Sequence, residues 1–214
     1  MRLIAIYLPT LILITLLIFL KARGKFGFHF FILFSSYLLI NLIIELLANV
    51  FAHYHYHNLY IYNIAILVEG LTFCYMFYYA NNNKVIKKAL VIATSAFILF
   101  WVINFCFIQK SRDTLNTYTY LLSCIILSTF SLITIYRFVF QNSFNNPFYN
   151  FFFWTSIGIL FCYLGNVPYL ASFNILVIKD PITAYRLTII SQVVNSILYI
   201  MIITGILCHR PDRN

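Results

Sequence analysis

Apolar residues in this chain neither alternate nor keep to one helical face; they fill long blocks separated by short polar breaks. The blocks cover residues 3–20, 28–51, 59–80, 88–108, 117–140, 150–174 and 185–207, and the breaks read KARGKFG, HYHYHN, NNNKVIKK, QKSRDTLN, QNSFNNP and KDP, with HRPDRN at the end. A hydrocarbon layer of about 30 Å takes roughly 20 helical residues to cross. Lipid offers no hydrogen-bond partner to a backbone, so a spanning segment must satisfy its own amides, as a helix does, and these unbroken runs lack the alternation of barrel strands. The pattern therefore predicts an all-α integral membrane protein: one domain over residues 1–214, a bundle of seven transmembrane helices. The first block follows Arg2 as a secretory signal would, but its apolar run is long and ends in KARGK without a small-residue cleavage site, so it reads as a retained span.

Composition agrees with the pattern. Of 214 residues, 63% are hydrophobic and only 9% charged, against about 25% charged in soluble domains. The formal charge of +9 comes from Lys and Arg scattered at the block edges. With the N-terminus outside, Lys21, Arg23, Lys25, Lys84, Lys87, Lys88, Arg137, Arg210 and Arg213 fall on the cytoplasmic side, and Arg2, Lys110, Arg112, Lys179 and Arg186 outside. The positive-inside rule then selects N-outside, C-inside, in the cell's inner (plasma) membrane. Placed this way the basic residues meet lipid headgroups, and nucleic acid is not an expected partner. The five cysteines sit one each in or at the end of five blocks, without a metal-ligand spacing, and read as packing residues.

Two carboxylates interrupt the apolar blocks: Glu45 in SYLLINLIIELLANV and Glu69 in YIYNIAILVEGLTFCYM. Charged groups deep in a bilayer are costly and usually face the bundle interior or water. In the second block Tyr37, Asn41, Glu45 and Asn49 recur every four residues, and in the seventh Tyr185, Thr188, Gln192, Asn195 and Tyr199 step by three and four, so each block carries one polar face. The sixth adds Tyr163 and Asn166 beside Gly165 and Pro168. Counting about 1.5 Å per residue, Glu45 and Asn166 lie roughly 5 to 10 Å below the outer surface, and Gln192, Glu69 and Asn195 roughly 10 to 15 Å below it. Comparable depth predicts a polar pocket close beneath the outer face, built from Asn41, Glu45, Glu69, Asn166, Gln192 and Asn195.

No Lys or Arg lies in the core of a block, so neither carboxylate has a counter-ion in reach. Such groups either stay protonated as interhelical hydrogen-bonding groups or meet a cationic ligand, a metal ion or a proton in transit. His53, His55 and His57 alternate in FAHYHYHN and would point one way in an extended segment, as a weak candidate for a metal; an interfacial belt of tyrosines accounts for the same stretch. HExxH, GxSxG, DxD and Gly-rich phosphate loops are absent, and no motif calls for a cofactor.

Span number and orientation resemble those of rhodopsins, but the seventh block holds no lysine for a retinal Schiff base. The division into three spans, a linker and three is similar to small sugar carriers, but their Pro-Gln pair is absent. No family is assigned. The expected function is sensing of a small ligand, cation or proton in the outer pocket, coupled to a cytoplasmic or membrane signalling partner through Lys84, Lys87, Lys88 or the tail. A small-solute or proton-coupled transporter is the alternative, and a membrane-embedded lipid-modifying enzyme built on Glu45, Glu69 and His53 the third reading.

Overall fold

The computed structural model describes residues 2–54, 59–109, 114–140 and 146–210, with side chains from residue 7 onward except at 181 and 185. Among the described residues the chain is all-helical: α1 (Arg2–Lys21), α2 (Phe28–His53), α3 (Leu59–Ala80), α4 (Lys84–Ile103), α5 (Thr117–Phe140), α6 (Phe151–Lys179) and α7 (Pro181–Cys208). Six helices are long and apolar enough to cross a membrane, with α4 counted together with its continuation to Ile108; the apolar part of α1 whose side chains are described, Tyr7–Lys21, is shorter. This is the make-up of a multi-pass membrane protein.

Observed helices overrun the expected blocks at several ends: α4 and α7 each start four residues early behind a polar cap, and α6 runs five residues on to Lys179. The Asp180 side chain accepts hydrogen bonds from the Thr183 amide (3.2 Å) and hydroxyl (2.6 Å), which starts α7 four residues before the apolar block. Those bonds hold the exposed Asp180 carboxyl below its usual range, and its charge suits a helix N-terminus. Asn83 and Asn150 cap α4 and α6 in the same way, each accepting from an amide two residues on at 2.8 Å. Helix α4 ends in a π-helical turn, Asn104–Ile108, where a continuous α-helix was expected. The wider turn brings Asn104 into the interior, where its Nδ2 donates to Thr119 Oγ1 (2.8 Å) and Gln109 Oε1 (3.0 Å).

Helix contacts describe a ring. Around it run α1, α2, α3, α5, α6 and α7, which returns to α1, while α4 rests outside against α3 and α5. Large apolar side chains such as Leu17, Ile43, Leu99, Ile125, Phe161 and Ile190 point outward and are exposed, as lipid-facing residues are. Small residues hold the interfaces. On α5, Cys124, Ser128 and Ser131 are buried, the face that meets neighbouring helices.

The α6/α7 contact is the closest in the ring. A Cβ on Gly158 would stand 2.8 Å from Met201 Cβ and 3.3 Å from the Leu198 backbone, and one on Gly165 would stand 2.9 Å from Val194 Cγ1. Absence of a side chain at these two positions lets the helices approach, and that approach sets Asn195 of α7 beside Asn166 of α6, 3.0 Å apart. Gly158→Leu should therefore destabilise the bundle by about 1–3 kcal/mol through overpacking, read as a lower thermal midpoint in detergent. Gly24→Ala, at a position with nothing within 4 Å, should leave the midpoint unchanged; equal midpoints for both variants would contradict the close-contact account.

Candidate functional site

A cavity of about 320 Å³ lies inside the ring, in the half that holds the C-terminal end of α2 and the N-terminal ends of α3 and α7. Asn41 and Glu45 enter from α2, Glu69 from α3, and Gln192 and Asn195 from α7. Five of the six residues expected to form one pocket thus line one cavity. Asn166, the sixth, is fully buried behind the wall and donates to Asn195 Oδ1. Cys162 Sγ approaches the same oxygen at 3.1 Å, so Asn195 is held from α6 by two groups.

Tyrosines answer the carboxylates. Glu69 accepts from Tyr37 at 3.4 Å and also from Tyr163, and Glu45 accepts from Tyr62 at 3.5 Å. Asn41 Nδ2 reaches Tyr199 at 3.5 Å. These contacts are long beside the 2.7–2.8 Å common for hydroxyl donors, so the carboxylate oxygens retain acceptor capacity. Gln192 Oε1 and Asn166 Oδ1 are buried without a hydrogen-bond partner. Among the described residues lining the cavity there is no Lys, Arg or His. The lining is rich in acceptors and holds no basic side chain.

Above the cavity the chain entering α5 forms a rim stitched from two sides. Asn63 of α3 accepts from the Asn116 amide (2.8 Å) and donates to the Thr114 carbonyl (3.1 Å). Asn174 of α6 accepts from the Leu115 amide (3.3 Å) and donates to the Leu115 carbonyl (3.0 Å). Leu115, fixed between them, lines the cavity. Below it the interior turns aromatic. Tyr37 packs on Phe73 and Phe34, Phe73 on Tyr163, and Phe34 on Phe151, with ring centroids 5.3 to 6.2 Å apart. Phe26 and His209 continue this layer to the opposite end.

Five polar residues singled out along the sequence lie elsewhere or are not described. Asn49, on the α2 stripe, lines a shallow apolar groove against α1 instead of the cavity; a step of four overshoots the 3.6-residue turn by about 40°, so the stripe winds around a long helix and leaves the interior by its last turns. His53 is the last residue of α2, not part of an extended strand, and is exposed beside Tyr54. His55 and His57, and the side chain of Tyr185, lie outside the described residues. Among the described residues no three His, Cys, Asp or Glu side chains come together as a metal site.

Sequence reasoning missed Tyr120, Tyr169, Phe173 and Ser191 in the lining, and Asn63 and Asn174 in the rim. Tyr169 and Phe173 continue the face of Asn166 in steps of three and four, a readable signal. Tyr120 carried none: in TYTY the exposed Tyr118 and the lining Tyr120 are equally plausible. Comparison with known proteins finds no matching family model, curated protein or solved structure.

The rim makes its own prediction. Asn63→Leu removes the acceptor of the Asn116 amide and the donor to Thr114, and should cost about 1–3 kcal/mol. Hydrogen exchange at the Asn116 amide should accelerate while exchange in the middle of α7 stays slow; an Asn116 amide as protected as in the wild type would mean that the rim is held by something other than Asn63.

Proposed function

We propose that this chain is a seven-span protein of the inner (plasma) membrane, N-terminus outside and C-terminus cytoplasmic, which binds a small ligand in its outer-half cavity and passes occupancy to a partner protein at its cytoplasmic end. The observation that carries the reading is the convergence of Glu45, Glu69, Asn41, Gln192 and Asn195 on one cavity, with carboxylates whose acceptor sites are only partly occupied. Residues that served only as interhelical glue would pair with one another and leave no space between them. The orientation rests on the distribution of Lys and Arg along the sequence, nine in segments read as cytoplasmic against five in segments read as outside.

Sensing is favoured over transport by what lies beneath the cavity. A transport path would have to part the layer of Phe34, Phe73 and Phe151, whereas a sensor needs only an element that touches both ends. Helix α7 is such an element. It lines the cavity from Thr188 to Tyr199, and its last carbonyls, Ile206 and Leu207, accept from Lys25 Nζ at 3.1 and 3.4 Å. Just beyond it His209 stacks on Phe26 at 4.8 Å, and the Arg210 guanidinium lies 4.0 Å over the Tyr149 ring. A displacement of α7 would alter the basic surface formed by Lys25, Arg210 and the neighbouring loops, the surface a cytoplasmic partner would read.

Two measurements test this. In cells carrying a cysteine-free background, Lys179→Cys should react with an impermeant maleimide from outside and Lys84→Cys only after lysis; the reverse pattern inverts the topology. In the second, Glu69→Gln and Glu69→Leu are compared with the wild type for thermal stability and for the growth or reporter phenotype of a deletion strain. Both variants should fail to complement while the fold survives, because Gln keeps the shape but not the charge and Leu relieves a desolvated carboxyl. Full complementation by Gln, together with a loss of about 0.6–2 kcal/mol in Leu, would assign Glu69 to interhelical bonding alone.

A further inference from the structure

The hydrogen-bond inventory of the cavity narrows what it can hold, granted the reading of the cavity as a ligand site. We propose that the ligand is a small organic ammonium ion, with its N–H-bearing head between the carboxylates of Glu45 and Glu69 and its apolar body against Tyr120, Tyr169 and Phe173.

Charge excludes one class at once. An anion would face two carboxyl groups with no Lys, Arg or His on the wall, and in a low-dielectric interior like charges at short range repel by several kcal/mol even at an effective dielectric of about 20. A neutral polyol needs donors and acceptors in similar number. Here the tyrosine hydroxyls near the acids are already turned toward them: Tyr37 and Tyr163 toward Glu69, Tyr62 toward Glu45. What is left over is acceptors. A carboxylate offers about four acceptor sites, and these contacts occupy only part of them. A ligand that brings donors and positive charge but no acceptor completes this set, and an ammonium group is that ligand.

The walls select an organic cation over an inorganic one. A transition metal such as zinc is usually held by three or more His, Cys, Asp or Glu ligands, and among the described residues no such group is present; calcium, which also takes amide oxygens, would have no use for the aromatic part of the wall. The cavity instead brings aromatic rings of α5 and α6 into one lining with the acids of α2 and α3. Ring faces attract cations, more strongly when water is excluded, and they bury the apolar part of an aralkyl or alkyl amine. A volume of about 320 Å³ is at the low end of the roughly 300–1,000 Å³ typical of small-molecule sites, so the ligand is a small amine, not a peptide or a lipid. Quaternary ammonium fits less well, since it has no N–H to donate to the two carboxylates.

The test uses the full chain in lipid nanodiscs and three probes that differ only in the head group: phenethylamine, 2-phenylethanol and phenylacetate. Phenethylamine should raise the thermal midpoint in a saturable, concentration-dependent way, and the alcohol and the acid should not. Its affinity by calorimetry should fall about tenfold or more in Glu69→Gln and in Glu45→Gln, the loss of a charge-assisted hydrogen bond, while Thr129→Ala, on an exposed face of α5, should match the wild type. Equal binding of the alcohol, preferential binding of the acid, or a midpoint that responds to calcium or sodium chloride but not to the amine would each overturn the ammonium assignment. So would no response to phenethylamine, 1,4-diaminobutane and ethylamine alike. In that last case a Glu69→Gln phenotype in cells keeps the cavity as a ligand site and removes only the ligand class; a silent Glu69→Gln removes both.

Discussion

Hydrocarbon supplies no hydrogen bonds, and most of this architecture follows from that single fact. Every polar side chain within a spanning helix must turn toward another helix or toward water. A carboxyl group makes the strongest demand, because it needs several donors and the bilayer interior has none. Glu69 draws Tyr37 from α2 and Tyr163 from α6 to itself, and Glu45 draws Tyr62 from α3. Each of these bonds joins two helices. The carboxylates therefore organise the interior half of the ring in which they lie, and the outward faces are left to Leu, Ile and Phe.

The same demand explains why the cavity is polar on one side of the molecule only. Where no acid must be served, the interior can be filled by rings packed on rings, as Phe19, Phe30, Phe34 and Phe151 do. Aromatic packing at centroid distances of 5.1 to 5.8 Å leaves no room for water. The two halves of one bundle thus follow different packing rules, with the change made at Tyr37 and Tyr163, whose rings belong to the aromatic layer and whose hydroxyls belong to the acid.

How much of this could be read from the chain depended on periodicity. The helices were legible because apolar runs bounded by polar breaks leave little choice: α3 and α5 begin and end where the pattern places them. The stripe residues Asn41, Glu45, Gln192 and Asn195 were legible because a polar group in an apolar run has only one place to go. The rim was not, since Asn63 and Asn174 act on the backbone of residues 114–116, and a contact from side chain to distant backbone leaves no periodic trace. The π-helical turn at Asn104 was hidden for a related reason: its stabilising partners, Thr119 and Gln109, lie beyond the helix itself.

Helix α7 connects the two packing regimes, and its neighbours decide how it can move. Against α6 it is locked by the glycine contacts at Gly158 and Gly165 and by the bond from Asn166 to Asn195, so the pair should move as one body. On its other side α7 meets α1, whose inward face is Leu8, Ile12, Thr15, Leu16 and Phe19. Thr15 spends its hydroxyl on the Leu11 carbonyl of its own helix. That face offers smooth contact instead of directional bonds, and a surface held only by dispersion can slide at little cost compared with one held by hydrogen bonds. The α6/α7 pair is therefore bonded to the acids' side of the cavity through Tyr163 and through Asn41 with Tyr199, meets α1 by apolar contact, and at the far end receives Lys25 on the last carbonyls of α7.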